Sequence, residues 1–296
     1  MSTFWSAWII VLILGNIFAC YWLIRWATKP VPGEAAEGDV TGHSWDGLQE
    51  FNNPLPRWWL YLFYGTIVFG LIYLTLYPGL GAYKGLLGWT SHNQWDKEMA
   101  QAEKTYGPIF KKYAAMDIPT LAKDPKANEM GRSLFLNYCA QCHGSDAGGG
   151  PHFPNLTDND WLWGGEPETI EKTILDGRQG IMPARGGAPI DDEGVKDVAQ
   201  YVLSLSGRKH DAARAERGKK TFDTICMACH TPAGTGNHAM GAPNLTDKIW
   251  LHGSTLQSIE KTIREGRHNV MPAHRDFLGT DKVHLLAAYV YSLSHK

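Results

Sequence analysis

Cys139-Ala140-Gln141-Cys142-His143 and Cys226-Met227-Ala228-Cys229-His230 are the stretches whose reading decides how this chain is built. Each sets two cysteines three residues apart and puts a histidine directly after the second. The chain has five cysteines, so four of them fall in these pairs. A disulfide framework would scatter its cysteines over varied spacings. A zinc site would need two further ligands from a second C-x-x-C or H-x-H, which neither segment supplies. A thioredoxin-like pair would sit in a βαβ pattern, and none is visible. What fits is C-x-x-C-H, the pattern of covalent haem c attachment through two thioethers. Chance supplies one copy in on the order of one chain in a thousand of this length, and two copies at matched places in a repeat leave no room for accident. The fifth, Cys20, lies in an apolar segment, where packing or lipid contact accounts for it.

The flanking residues repeat. Gly131, Phe135 and the first motif match Gly218, Phe222 and the second, and Pro154-Asn155-Leu156-Thr157-Asp158 returns as Pro243-Asn244-Leu245-Thr246-Asp247. Ile170-Glu171-Lys172-Thr173-Ile174 returns as Ile259-Glu260-Lys261-Thr262-Ile263, and Met182-Pro183-Ala184 as Met271-Pro272-Ala273. Two copies are too few for a solenoid, so this is a tandem domain duplication, placed at 126–207 and 211–296. Asp191-Asp192-Glu193 starts a helix whose apolar positions Val195, Val198, Ala199, Val202 and Leu205 keep the 3.6-residue period, and Gly207 ends it. The second copy repeats this from Asp281 to Leu293. Helices joined by Gly/Pro-rich loops make the fold all-α. Each copy is small enough to be marginal alone, and a covalently held porphyrin fills its core. The charged, Ala-rich connection at 208–217 is a continuing helix or a tight linker, so the lobes pack closely.

His143 and His230 are the proximal iron ligands that the motif provides. The sixth ligand sets the chemistry: methionine gives a filled electron-transfer site, an open position permits binding or peroxide chemistry. Met182 lies 39 residues after His143 and Met271 41 after His230, each followed by proline. Their matched positions single them out, although a lone methionine is ordinarily core filler. Met240 has no counterpart in the first copy, Met227 sits inside its own motif, and Met116 and Met130 precede the first motif without equivalents. His152 and His238 lie in the loops after the motifs and read as solvated loop histidines. Sequential domains favour each methionine serving its own copy, but two pseudo-symmetric lobes could also exchange ligands, so the pairing stays open. Pro154 and Pro243 are expected to offer carbonyls to the proximal imidazole N–H groups. Arg178 and Arg267 reach haem propionates or form ordinary surface salt bridges.

Upstream, residues 4–24 read FWSAWIIVLILGNIFACYWLI without a charge, and 58–80 read WWLYLFYGTIVFGLIYLTLYPGL, again uncharged. A bilayer core of about 30 Å needs about 20 helical residues, so each has the length of a span. The first lacks the basic n-region and cleavage site of a signal peptide and is read as a retained anchor. Transmembrane helices are placed at 4–27 and 57–80, with a loop at 28–56 and a linker at 81–125. Arg25, Lys29 and Arg57 favour a cytoplasmic loop, against Lys84 and Lys97 beyond the second span. The chain has 28 Lys+Arg against 30 Asp+Glu, which gives no overall basic face for nucleic acid.

The segment His43-Ser44-Trp45-Asp46-Gly47-Leu48-Gln49-Glu50-Phe51-Asn52-Asn53-Pro54-Leu55-Pro56-Arg57-Trp58-Trp59 entering the second span resembles the signature of the CcoP/FixP family, the diheme cytochrome c subunit (subunit III) of cbb3-type cytochrome c oxidases. The similarity runs essentially from end to end. It implies two tandem class I cytochrome c domains behind two membrane helices and two haem c groups, attached at Cys139, Cys142, Cys226 and Cys229. In class I cytochromes Met-Pro at this distance presents the sulfur, which implies Met182 and Met271 as axial ligands beside His143 and His230. Haem c is attached on the outer side of the bacterial inner membrane, so both termini and the haem domains are expected in the periplasm. The family implies a non-catalytic relay in a proton-pumping oxidase. It takes electrons from periplasmic cytochrome c and passes them, through a monohaem cytochrome c subunit, to the haem–copper catalytic subunit. Membrane lipid is the remaining partner and nucleic acid is none. A free-standing membrane-tethered diheme carrier and a diheme peroxidase are the competing readings.

Overall fold

Helices that are apolar all round have no single face to bury in a soluble core, and in the first two helices only Ile24 is buried. The computed structural model describes residues 1–295, and contacts divide the chain into a unit of Met1–Lys104 and a second unit from Thr105 onward. In the first unit α1 (Thr3–Ala27) and α2 (Arg57–Leu76) are 25 and 20 residues long and apolar enough to cross a membrane. Their large side chains, among them Trp8, Phe18, Trp22, Phe69 and Tyr73, point outward and stay exposed, as suits helices solvated by lipid. α2 stops at Leu76, short of the 57–80 expectation, because Tyr77 precedes Pro78 and is held extended (φ −114°, ψ 158°). Between the helices, β1 (Val40–Trp45) and β2 (Leu48–Phe51) form an antiparallel hairpin with Trp45 opposite Leu48. Asp46 (φ 48°) and Gly47 (φ 84°) make its two-residue turn. Both φ angles are positive, as the hairpin-matching type I′ turn requires.

α3 (Ser91–Ala114) begins in the first unit and ends in the second. There follow α4 (Ile118–Leu121), α5 (Pro125–Tyr138), α6 (Ala140–His143), α7 (Pro167–Asp176), β3 (Arg178–Met182) and α8 (Asp192–Leu205). The second copy supplies α9 (Ala212–Thr221), α10 (Met227–His230), α11 (Leu256–Glu265), β4 (Arg267–Met271), α12 (Arg275–Leu278) and α13 (Thr280–Ser294). Aspartates start four of these helices: Asp117, Asp124, Asp191 and Asp211 accept from backbone N–H groups in the first turns of α4, α5, α8 and α9. The structure is mostly helical, as expected, and adds four short strands.

The copies do not each close on themselves. One core holds Leu121, Ala127, Phe135, Ile170 and Ile174 of the first copy's region together with Val283, Leu285, Leu286 and Val290 of α13. The other holds Val195, Val198, Ala199 and Val202 of α8 together with Phe222, Ile259 and Ile263 of the second copy. Rings confirm the pattern: Phe135 meets Tyr289 at 5.5 Å, and Tyr201 meets Phe222 at 5.1 Å. The cause is local. Gly207 (φ 68°) ends α8, and Arg208 N–H donates to the Leu203 carbonyl at 3.0 Å, a Schellman stop. Asp211 then caps α9, so the chain reverses within a few residues and lays α8 back on α9 as an αα-hairpin. The end of the first copy therefore closes the core of the second, and α13 returns to close the first. β3 and β4 bind the exchange as an antiparallel ribbon, with Arg178 opposite Met271 and Met182 opposite Arg267.

Candidate haem sites

In each motif the short helix after the first cysteine, α6 or α10, carries the second cysteine and the histidine. Three-residue spacing puts both sulfurs on one face of a helical turn, and the four thiols form no disulfide. Burial, with the neighbouring cysteine, pushes the Cys139 and Cys226 thiols up to about 11. His143 and His230 are buried. Their Nδ1 atoms lie 3.0 Å from the Pro154 carbonyl and 3.1 Å from the Pro243 carbonyl. A carbonyl only accepts, so Nδ1–H donates and Nε2 is left with its lone pair free for a metal. Burial holds both imidazoles below their usual pKa, which keeps that lone pair unprotonated.

Beside His230 opens a cleft of about 1380 Å³, its mouth included, lined by Cys226, Cys229, Pro243, Trp250, Arg267 and Met182. Its chemistry fits a porphyrin with two carboxylates. The walls are largely apolar, a nitrogen and a sulfur face in, and the buried Trp250 Nε1–H has no partner within the protein. Arg267 is held by the Thr262 hydroxyl, and Arg178 by the Thr173 hydroxyl at 2.8 Å. Arg178 also lies over the Trp163 ring at 4.9 Å. Among the described residues neither arginine makes an ion pair; each is held by a threonine hydroxyl instead.

The structure brings the sequence-singled residues together across the copies. Met182 packs against the second core beside its other partly buried neighbours, Cys226, Met227, Leu245 and Trp250 among them. Met271 packs against the first core, as do the partly buried Cys139, Ala140, Leu156 and Trp161. On the ribbon, Arg178, Gly180 and Met182 and their partners Met271, Asn269 and Arg267 face inward. Gln179, Ile181, His268 and Val270 face solvent. Met240 lines the cleft beside His230 but is half exposed, and Met116 and Met130 pack on the periphery of the first core.

His152 is exposed, with its Nδ1 2.7 Å from His252 Nδ1. His252 in turn contacts Asn269 at 3.1 Å and lines the cleft beside His230. His252, Asn269 and the unpartnered Trp250 were not singled out by sequence. The repeat alignment carried the signal, because His252 and Asn269 stand where the first copy has Trp163 and Gly180.

These features define a class: a helical tandem c-type cytochrome behind two candidate membrane helices. Comparison with known proteins narrows it. Residues 37–84 match the N-terminal domain of cytochrome oxidase-cbb3, FixP. Residues 126–202 and 213–290 match cytochrome c oxidase, cbb3-type, subunit III. The chain is 49% identical over 292 residues to the cbb3-type cytochrome c oxidase subunit CcoP of Rubrivivax gelatinosus, covering 98% of this chain and 95% of that protein. It is 38% identical to CcoP of Cereibacter sphaeroides over 90% and 98% of the two chains. It is 42% identical to FixP of Bradyrhizobium diazoefficiens over 86% and 94%. The chain belongs to the CcoP/FixP family, the cytochrome c subunit of cbb3-type oxidases, and its cytochrome c domains carry covalent haem c.

Proposed function

We propose that the chain holds two haem c groups, at Cys139/Cys142 and Cys226/Cys229, and works as a non-catalytic electron relay within the oxidase. His143, His230, Met182 and Met271 are the axial ligands. Bound haem c supplies one-electron exchange between ferrous and ferric iron, and a histidine with a methionine fills both axial positions, leaving none open for oxygen. The carrying observation is the twofold occurrence of one arrangement: two cysteines, an imidazole backed by a proline carbonyl, and an inward methionine on the ribbon. Arg178 and Arg267 orient the propionates, and the apolar walls keep water from the iron.

The haem domains and both termini lie in the periplasm in this reading, with residues 28–56 on the cytoplasmic side. A periplasmic cytochrome c donates electrons. They leave through a monohaem cytochrome c subunit to the haem–copper catalytic subunit. Purification from membranes in mild detergent tests the reading. Co-elution with a haem–copper subunit and two low-spin haems per chain are expected. Elution alone favours the free-standing carrier, and a high-spin resting haem favours the peroxidase.

A further inference from the structure

We propose that His152 and His252 form a proton-binding site linked to the haem attached at Cys226/Cys229: reduction of that iron draws one proton from solvent onto the pair, and oxidation returns it. This rests on the reading that a haem c occupies that cleft, and it adds a proton to that haem's electron exchange.

The two rings come from different repeat copies. His252 lines the cleft beside His230, and His152 is exposed, so the pair joins the cleft to solvent. The backbone holds His152 in place. Its φ is 74°, a region few residues with a side chain adopt, and its N–H donates to the Leu251 carbonyl at 3.0 Å. That sets Nδ1 of His152 2.7 Å from Nδ1 of His252.

The hydrogen bonds fix where the protons sit. Asn269 Nδ2 lies 3.1 Å from His252 Nε2. An amide nitrogen only donates, so Nε2 accepts and the neutral His252 ring carries its hydrogen on Nδ1. That N–H donates to His152 Nδ1, and His152 keeps its own hydrogen on Nε2. One added proton reverses the row. His152 then has an N–H on both nitrogens, His252 accepts at Nδ1 and carries its hydrogen on Nε2, and Asn269 turns its amide oxygen toward it. A second proton would make two N–H groups face each other across 2.7 Å, so the site takes one. Arg267 of β4 and His152 are the charged and titratable groups that act on His252. Burial first, then these two, hold it down to about 4, which leaves the charge on the exposed ring of His152.

The other cleft has no such site. With Pro154 set on Pro243, Gly241 stands for His152, Trp163 for His252 and Gly180 for Asn269. These residues still meet: a Cβ on Gly241 would come within 2.3 Å of the Trp163 ring, and one on Gly180 within 3.8 Å. The contact is duplicated, but one half holds an indole where the other holds paired imidazoles. An indole N–H is a donor only and takes up no proton. The proton linkage therefore belongs to one haem of the two.

The ferrous site carries one positive charge fewer than the ferric, so a nearby cation is held more tightly after reduction. By linkage, protonation favours reduction as much as reduction favours protonation. The electron comes from the donor of the relay and the proton from solvent. Iron passes from ferric to ferrous, one N–H bond forms, and the net charge is unchanged.

The test uses the haem-loaded full chain. Pyridine haemochrome analysis should give two haems c per chain, and fewer overturns the occupancy reading and the proton site with it. With two haems present, haem-resolved redox titrations are repeated across a series of pH values. The reduction equilibrium of the Cys226/Cys229 haem should fall as pH rises, by at most tenfold per pH unit, or about 59 mV. His152→Asn keeps a residue that tolerates positive φ and should flatten this dependence at that haem alone. His268→Asn, on the outward face of β4, should leave it as it is. A second readout needs no variant to fold: redox-difference infrared spectra of the parent with ¹⁵N-labelled histidine should show an imidazole gaining a proton on reduction. A dependence that survives His152→Asn, an equal loss at both haems or in His268→Asn, or the lack of an imidazole signal overturns the site alone.

Discussion

Met182 lies directly across the ribbon from Arg267, and both face the cleft beside His230. A methionine of one copy is thus paired across the ribbon with an arginine of the other. The same relation holds between Met271 and Arg178.

Removing the cation should make reduction of that haem harder, because the ferrous state carries one positive charge fewer. A charge on the order of 8 Å away at an effective dielectric of about 20 contributes about 2 kcal/mol, and partial exposure reduces this. Arg267→Gln is expected to lower one haem potential by tens of millivolts, with 59 mV per tenfold for one electron, and to leave the other unchanged. Haem-resolved redox titration checks this. Equal shifts at both haems would contradict the one-sided placement.

The helix crossings predict a stability effect. A Cβ on Gly218 meets only backbone of α8, the Asp197 carbonyl and the Val198 nitrogen, which cannot swing aside. Overpacking of this kind costs about 1–3 kcal/mol or more. A region of this size loses about 2–4 °C per kcal/mol, so Gly218→Ala should lower Tm of the loaded chain by about 5–10 °C. Gly131→Ala meets a tyrosine Cβ and one carbonyl, and the loss should be comparable or smaller. Scanning calorimetry measures both, and an unchanged Tm for Gly218→Ala would mean the helices are not this close.

Gly266 (φ 73°, ψ −176°) and Gly177 (φ 70°, ψ −179°) adopt an essentially glycine-only backbone region that costs an alanine about 1–3 kcal/mol before any clash. The clash is with the carbonyl of the methionine across the ribbon. Gly266→Ala is therefore expected to loosen Met182 and weaken the sulfur-to-iron band of the Cys226/Cys229 haem. Gly177→Ala should act on the other haem. Near-infrared absorption with haem-resolved potentials would show it. An identical spectrum in both variants counts against the lock.

Much of this was readable in the residues. The period-3.6 apolar positions of α8 and α13 gave helices that end within a residue or two of expectation, because both sit against a core on one face. The imidazole–proline contacts were expected at the repeated Pro154-Asn155 and Pro243-Asn244 and were found. The β1–β2 hairpin had its signal in Asp46-Gly47, an I′ turn pair between alternating residues, hidden inside a stretch read for its likeness to a family. β3 and β4 are five residues each, with outward Ile181 and Val270, too short for periodicity to reveal. The exchange of copies is invisible to a repeat alignment, because equivalent segments satisfy either core equally. Only the length and turn chemistry of the connection from Gly207 to Asp211 select one.

Asp160 supplies a pH-dependent prediction. Burial, then the nearby Asp247 and Asp158 carboxylates, raise its carboxyl to about 6, with His238 opposing. The folded chain thus keeps a proton that the unfolded chain gives up between about pH 4 and 6. The contribution to stability falls as pH rises through that window and stays unfavourable above it. His252 has the opposite sign. Burial first, then Arg267 and His152, lower it to about 4, so the folded chain refuses a proton that the unfolded chain takes up below about 6.5. Its contribution falls as pH drops through 6.5 to 4, and the two effects offset one another. Asp160→Asn removes one side of this balance. It should raise Tm at pH 7, change it little near pH 4, and leave a steeper acid loss than the parent shows. Thermal melts of the loaded chain from pH 4 to 7.5 decide the matter, and a Tm difference that does not vary with pH would rule out a raised Asp160.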